Sequence, residues 1–241
     1  MPKLIGDSGQ LNELNNDNVI FKSNTWFVYD IYASKNGKPV YILQGDGPRN
    51  YVVSNKKNKE CLKRIYLFVY PNTSEKISLS STQTLISYKH QFGKTVLEFS
   101  EITGIIENKN YIFLHPPRAW LDIVEFAPFP ELPQNFKEKK EWETHGGIGG
   151  FDTSPWGIEA DSLRAYHTKT YTLESDSIPY RIEGKQILCS KINGTFFSPN
   201  NVAVSSSSFL FNPEYGFVKI SIQGLNGYLI ELNLTERIFS N

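Results

Sequence analysis

The stretch from Phe209 to Leu234 constrains the fold more than any other part of this chain. Apolar and polar side chains alternate over residues 218–223 and again over residues 228–234. A period of two is typical of a strand with one buried and one solvated face. The two runs are separated by Gly224-Leu225-Asn226-Gly227, so the stretch predicts an antiparallel β-hairpin.

The register of this hairpin follows from its two apolar faces. A two-residue turn at Asn226-Gly227 would place Ile222 opposite Glu231, and the apolar faces of the two strands would then lie on opposite sides of the sheet. A three-residue loop, with Gly227 in the left-handed conformation of a bulged turn, brings both apolar faces to one side. The pairs that we predict are Ile222–Ile230, Ile220–Leu232 and Val218–Leu234.

The rest of the chain repeats this kind of pattern. Hydrophobic residues are 39% of the chain and aromatic residues 14%, and aromatic and β-branched side chains fit half-buried sheet surfaces. Strand patterns begin at Val19-Ile20-Phe21, a hairpin turn is predicted at Asn36-Gly37, and strand signals recur about every 8–12 residues. One helical turn fits within residues 135–143. We predict an all-β, mostly antiparallel protein with little helix, either two packed β lobes or an extended β-sandwich or open barrel.

Two proline clusters suggest how the chain is divided. We expect a polar, poorly ordered N-terminus over residues 1–17 and an N-terminal β lobe over residues 18–126. A proline-rich crossover over residues 127–140 would lead to a C-terminal β lobe over residues 141–241. Within that lobe we expect three short strands, punctuated by Gly184, Asn193-Gly194 and the Ser205–Ser208 run, the last of them from Val202 to Phe211.

The charge balance excludes a global field that would attract nucleic acid or an anionic membrane. The 25 basic and 25 acidic residues give a formal net charge of zero. No run of 18 apolar residues occurs, so we predict no transmembrane segment. The N-terminus has no apolar signal core. We therefore expect a cytoplasmic protein if Met1 is the native start, and an envelope protein if a signal peptide was trimmed.

The motifs that would indicate a cofactor or a metal ion do not occur. The glycine-rich run 146–150 lacks the Lys-Ser/Thr of a phosphate-binding loop and the spacing of a dinucleotide fingerprint. Cys61 and Cys189 form no metal-ligand spacing; we expect two separate buried thiols, with one disulfide as the alternative. None of the four histidines has a partner at ligand spacing. We predict no cofactor and no metal site. The histidines are His90, His115, His145 and His167.

Catalytic motifs are weak. The chain has no G-x-S-x-G nucleophile elbow, although carboxylates from separate strands could still converge in three dimensions. The best local acidic cluster is Asp152, Glu159 and Asp161 near Trp156, and turn or surface roles are the favoured interpretation.

Three tryptophans flank the proline and glycine segments. They form either an exposed stacking platform or the core between the lobes, and burial is the default for tryptophan in a β domain. Neighbouring polar residues complete a set of candidate binding residues. This set is His115, Arg118, Trp120, Trp142, His145 and Trp156.

Three stretches together resemble a known kind of protein. They are YIFLHPPR at 111–118, EFAPFPELP followed by Trp142, and FNPEYGFVKISIQGLNGYLIELNL ending at Leu234. Over roughly residues 111–234 the chain resembles uncharacterised bacterial β-rich proteins of the domain-of-unknown-function type described as TapB-like. The resemblance implies an antiparallel β fold and, for many members, a place in the cell envelope, and it brings no catalytic residues. The chain departs from that pattern in lacking a signal peptide and a lipobox cysteine.

From these observations we expect a non-catalytic interaction or ligand-binding protein. Its partner would be a protein, a glycan or a lipid, and not a nucleic acid. The alternative is a hydrolase acting on glycans or esters, with Asp or Glu and His side chains from separate strands meeting in a cleft.

Overall fold

One antiparallel sheet of 14 strands organises the molecule. The computed structural model describes residues 18–46, 51–71, 83–97, 101–117, 119–147, 166–197 and 203–239. The predicted disordered N-terminus, residues 1–17, lies outside these ranges. The all-β, mostly antiparallel fold class predicted from the sequence is confirmed.

The first nine strands precede the proline-rich segment. They are β1 (Thr25–Lys35), β2 (Lys38–Pro39), β3 (Tyr41–Gln44), β4 (Tyr51–Ser54), β5 (Leu62–Val69), β6 (Thr84–Phe92), β7 (Thr95–Val96), β8 (Glu101–Glu107) and β9 (Tyr111–Leu114).

The other seven strands follow a 3₁₀ helix at Ala119–Phe126. They are β10 (Glu131–Pro133), β11 (Glu141–Gly147), β12 (Tyr166–Ile182), β13 (Lys185–Phe197), β14 (Ala203–Asn212), β15 (Gly216–Gln223) and β16 (Tyr228–Phe239). A single turn of α-helix, α1 (Phe136–Lys139), lies between β10 and β11, and a short 3₁₀ turn, Leu225–Gly227, joins β15 to β16.

The strand order shows how the two halves of the chain join. The sheet runs β10-β9-β8-β6-β5-β1-β16-β15-β14-β13-β12-β11, with β2 attached to β1 and β7 to β6, while β3 and β4 form a separate hairpin. The first strand, β1, pairs with the last, β16, along its whole length. Among the described residues no backbone ladder joins β10 to β11, so the sheet is not a closed barrel. The division into lobes at the proline-rich segment stays a prediction.

The hairpin register predicted from the sequence is confirmed. Ile220 lies opposite Leu232 and Ile222 opposite Ile230. The loop spans Leu225–Gly227, and Gly227 has a φ of +75°. The ladder begins at Lys219 and Asn233, so the predicted Val218–Leu234 pair lies just beyond it. The apolar side chains of both strands are buried in the core, which lies on the inner face of the sheet.

The predicted break at Asn193-Gly194 is wrong, because this pair lies within β13. The predicted strand over residues 202–211 is confirmed as β14 (Ala203–Asn212), which contains Ser205–Ser208. The small side chains at both places leave room for the chain that crosses the inner face of the sheet after the 3₁₀ helix. A Cβ added to Gly194 would lie 2.6 Å from the Cβ of Pro128, and the Ser205 hydroxyl donates a hydrogen bond to the carbonyl of Phe126. The break at Gly184 is confirmed, because a turn there separates β12 from β13.

The predicted strand at residues 19–21 is also wrong. These residues form a bend whose backbone N–H groups do not join a ladder. They donate instead to the buried carboxylate of Glu107 on β8, from Val19 at 2.9 Å, Ile20 at 3.0 Å and Phe21 at 2.9 Å. One carboxylate thus satisfies three successive donors that a strand would have paired with a neighbour.

Candidate functional site

A groove of about 440 Å³ opens where β1 parts from β5. The β1–β5 ladder ends at the pair Asp30–Arg64, and β2 returns to the same edge of β1 only at Ser34. Residues 31–33 lie between these two ladders. Leu43 on β3 bridges to Cys61, and the β3 residues Tyr41 and Ile42 form the far side of the opening.

The floor of the groove is apolar. Ala33 on β1 and Leu62 on β5 are buried, as are Val40 and Ile42, which follow the β1–β2 turn. Ile31 is half-buried and completes this surface. The turn itself is the predicted Asn36-Gly37 hairpin, with φ values of +50° and +75°. The strand that follows the turn, β2, is only two residues long. The chain therefore leaves the edge of β1 after Pro39 and does not cover the floor of the groove.

An ion pair stands at one end of the groove. The Arg64 Nε lies 2.7 Å from an Asp30 carboxylate oxygen, and both side chains are partly exposed. The hydrogen bond from Arg64 to Asp30 raises the pKa of the guanidinium. The pair lies directly across the last rung of the β1–β5 ladder, and it fixes the position at which the two strands separate.

Three further polar side chains line the rim. Lys63 is the extra residue of a bulge in β5, between Leu62 and Arg64, and its side chain is exposed. Tyr32 is 42% exposed and Tyr41 is half-buried. Within the described part of the chain, none of the three polar groups of Lys63, Tyr32 and Tyr41 makes a hydrogen bond or an ion pair.

Both cysteines are free thiols, so the alternative of a disulfide is excluded. Cys189 is buried, and burial raises its pKa to about 11. Cys61 is only half-buried and lies on the groove, which corrects the expectation that both thiols would be buried. The chain therefore carries a partly accessible thiol at the groove and a second, buried thiol in the core.

The two end strands of the sheet meet through side chains. Glu131 on β10 is 3% exposed, and its carboxylate accepts hydrogen bonds from the hydroxyls of Tyr111 and Thr144, the latter at 2.9 Å. The Trp142 Nε1 donates to the backbone carbonyl of Glu131 at 2.9 Å. Burial, together with the charge of Glu131, raises the pKa values of Tyr111 and Tyr171. These contacts hold the two end strands of the sheet, β10 and β11, next to each other.

Of the predicted binding residues, the structure describes three side chains. Trp142 is buried and stacks on Tyr171 with ring centroids 5.4 Å apart. Its burial agrees with the default expectation for a tryptophan in a β domain. His115 lies at the end of β9, with its ring 5.8 Å from that of Phe113, and its carbonyl accepts a hydrogen bond from Tyr88. His145 lies on β11.

The other predicted residues lie outside the described side chains. Trp120 belongs to the 3₁₀ helix, and only its backbone is described. Arg118, Trp156 and the acidic cluster Asp152, Glu159 and Asp161 lie outside the described residues. Binding by any of the six candidates stays a prediction.

The His145 ring bridges an acid and a hydroxyl. Its Nε2 lies 2.7 Å from a Glu143 carboxylate oxygen, and its Nδ1 lies 3.2 Å from the Thr168 hydroxyl on β12. This is the connectivity of a hydrolase triad. The Glu143 and His145 side chains are 51% and 25% exposed, so the chain of contacts lies at the surface.

The other two histidines, His90 and His167, are buried. The described residues include no group of three or more potential metal ligands, and no helix among them is long and apolar enough to cross a membrane.

Sequence reasoning missed the groove, because its residues form no motif. The one signal was the Asn36-Gly37 turn followed closely by the breaker cluster Gly45–Pro48, which predicts a strand that cannot stay in the sheet for long. What that short strand uncovers depends on β5, which is distant in sequence.

Comparisons with known proteins show what the chain is similar to in fold. No family model matches the chain, and no curated protein matches it. Among solved structures it is similar to a β-barrel-like protein of the domain of unknown function DUF1849 from Brucella abortus, with 8% identity, coverage of 90% of this chain and 98% of that chain, and a TM-score of 0.40.

Two further structures are similar at a lower level. A protein with a YmcC-like fold from Bacteroides fragilis has 8% identity, coverage of 90% and 96%, and a TM-score of 0.32. The lipoprotein LppX from Mycobacterium tuberculosis has 10% identity, coverage of 88% and 85%, and a TM-score of 0.29. The chain is an all-β protein built on one large antiparallel sheet. This fold agrees with the resemblance of its sequence to β-rich bacterial proteins of unknown function.

Proposed function

We propose that this protein is a non-catalytic ligand-binding protein, and that the groove beside β1 holds a small, largely apolar molecule. The observation that carries the proposal is a concave opening of about 440 Å³ over a buried apolar floor. Small-molecule sites have volumes of about 300–1,000 Å³ and combine apolar walls with a few polar groups.

The floor and the rim have separate roles in this proposal. Ala33, Val40, Ile42 and Leu62 offer apolar surface that a ligand would remove from water, at about 25 cal/mol per Å². The polar groups lie at the rim of the groove. They would therefore orient a ligand by hydrogen bonds while its apolar part contacts the floor.

Cys61 provides a direct test. Ellman's reagent should modify Cys61 in the folded protein, while the buried Cys189 should react only on unfolding. A bound decyl chain should slow the reaction of Cys61 several-fold, and equilibrium dialysis should give the same affinity. The proposal fails if decanoate, decanol and decylammonium all leave the Cys61 rate unchanged and do not bind in dialysis.

A groove-filling variant tests the location. Ala33→Ile adds bulk to the floor and should weaken binding of decanol. Val52→Ile adds bulk at a 55% exposed position of β4 outside the groove and should have no effect. Thermal unfolding shows whether each variant is folded. Unchanged decanol binding by folded Ala33→Ile would place the ligand elsewhere.

A second candidate function, ester hydrolysis, is favoured by the contacts of His145. The Thr168 hydroxyl would attack an ester carbonyl and pass its proton to the His145 Nδ1, while Glu143 would stabilise the imidazolium. The imidazolium would return that proton to the alcohol as the ester bond breaks, leaving the acyl group on Thr168. Water, deprotonated by His145, would then attack this acyl group, and the carboxylic acid and the free Thr168 hydroxyl would be released. Thr168→Val should abolish hydrolysis of p-nitrophenyl acetate above the background rate, and Thr170→Val, two residues along the same strand, should not. Equal rates for both variants and the parent protein would exclude this role.

A further inference from the structure

The rim of the groove points to the kind of ligand, and this inference rests on the proposed binding function. We infer that the groove selects single amphiphiles that carry an anionic head, with the head at Lys63 and the apolar chain on the floor between β1 and β5.

The first argument is the polarity of the unsatisfied rim groups. The ammonium of Lys63 and the phenol hydroxyls of Tyr32 and Tyr41 have no hydrogen-bond partner within the described ranges of the chain. An ammonium can only donate, and a phenol hydroxyl donates readily. Three donors around one opening suit a carboxylate, sulfate or phosphate, which accepts several hydrogen bonds.

The second argument is the charge of the rim. Lys63 and Arg64 contribute two positive charges, and Asp30 contributes one negative charge, so the rim is positive by one unit. The charge of the Asp30 carboxylate is compensated by Arg64 at 2.7 Å, so Lys63 carries the net charge of the rim. An ammonium head would meet the uncompensated charge of Lys63, whereas an anionic head would be attracted to it.

The third argument is the position of Lys63 in the strand. Lys63 is the bulged residue of β5, opposed to no residue of β6, and it directly follows Leu62 of the floor. A bulge turns a side chain out of the regular alternation of the strand. Lys63 is thus a cationic residue that lines the groove next to Leu62 of the floor, as an amphiphile with an anionic head would require.

The experiment compares decanoate, decanol and decylammonium at pH 8, each below its micelle concentration. We expect decanoate to bind tightest and decylammonium weakest. Protection of Cys61 and equilibrium dialysis both give the dissociation constants. Because the rim is exposed to solvent, Lys63→Gln should weaken decanoate binding about two- to fivefold and leave decanol binding unchanged. Lys94→Gln, at an exposed turn outside the groove, should change neither.

The outcomes separate this inference from the proposed function. If decanol binds as tightly as decanoate, or if Lys63→Gln leaves decanoate binding unchanged, the anionic selectivity is wrong while the binding function stands. If none of the three probes binds, the proposed function itself is wrong. Binding to phosphatidylglycerol-containing vesicles without binding of monomeric decanoate would overturn the inference in favour of a membrane surface. Raising the salt concentration should reduce the difference between decanoate and decanol.

Discussion

The hydroxyl of Thr144 donates a hydrogen bond of 2.9 Å to the buried carboxylate of Glu131, and this contact links the two end strands of the sheet. The Glu131 carboxylate also accepts a hydrogen bond from Tyr111, so its removal would leave two buried hydroxyls without an acceptor. We predict that Glu131→Ala lowers the free energy of unfolding by about 2–5 kcal/mol, measured by urea denaturation with tryptophan fluorescence. Glu141→Ala, at an exposed position of β11, should change it by less than about 0.5 kcal/mol. A loss as small for Glu131→Ala would mean that these side chains do not hold the sheet ends together.

The anchor at Glu107 leads to a second prediction. Glu107→Ala removes the acceptor of three backbone N–H groups at residues 19–21 and should lower the free energy of unfolding by about 2–4 kcal/mol. Amide hydrogen exchange at Ile20 and Phe21 should accelerate even where the sheet stays protected. Glu236→Ala, an exposed position on β16, serves as the control. Unchanged exchange at Ile20 and Phe21 would contradict the role of this carboxylate.

The buried His90 predicts a loss of stability in acid. Burial lowers its pKa from 6.5 to about 3, so between these values the unfolded chain binds a proton that the folded chain does not. The free energy of unfolding therefore falls as the pH falls from about 6.5 towards 3, by up to about 1.4 kcal/mol per pH unit, and His90 has no such effect above pH 7. His90→Leu should remove this component, giving a flatter curve of unfolding free energy between pH 7 and pH 5. Parallel curves for the two proteins would show that His90 is not protonated on unfolding.

Close packing against β13 predicts that alanine is destabilising at one glycine and tolerated at another. Gly194→Ala would place a methyl group 2.6 Å from the Cβ of Pro128 and 2.9 Å from the Ser207 hydroxyl, and it should lower the free energy of unfolding by about 1–3 kcal/mol. Gly146→Ala, within edge strand β11, meets nothing within 4 Å and has an ordinary φ, so it should be neutral. Differential scanning calorimetry of the two variants measures this difference. Equal melting temperatures would indicate that the chain at Pro128 shifts without cost.

The hairpin of β15 and β16 could be predicted in detail because its register is fixed locally. The alternation of Ile220 and Ile222 with polar residues, and of Ile230 and Leu232 across the loop, admits only one arrangement with a single buried face. The Asn36-Gly37 turn was predictable for the same reason, since two successive left-handed residues define a tight hairpin.

Features that depend on distant partners could not be predicted from these patterns. The Asn193-Gly194 pair predicts a turn locally, yet it lies within β13, where a Cβ on Gly194 would lie only 2.6 Å from the Cβ of Pro128. The groove exists because β1 changes its partner from β5 to β2 after Asp30, and the sequence of β1 itself contains no pattern that predicts this change. In the sequence Glu131 is an ordinary polar residue in a proline cluster. Its role as a hydrogen-bond acceptor for Thr144 depends on β11 lying next to β10.

The pairing of β1 with β16 has a consequence for the order in which the protein is made. Of the strands that the structure describes, β1 is synthesised first and its partner β16 last, so the centre of the sheet is completed only after β16 has been made. Until then the edge of β1 (Thr25–Lys35) that pairs with β16 is an open template for pairing with another chain. In a nascent chain stalled before residue 228, the sheet would therefore lack a strand at its centre rather than at one of its ends.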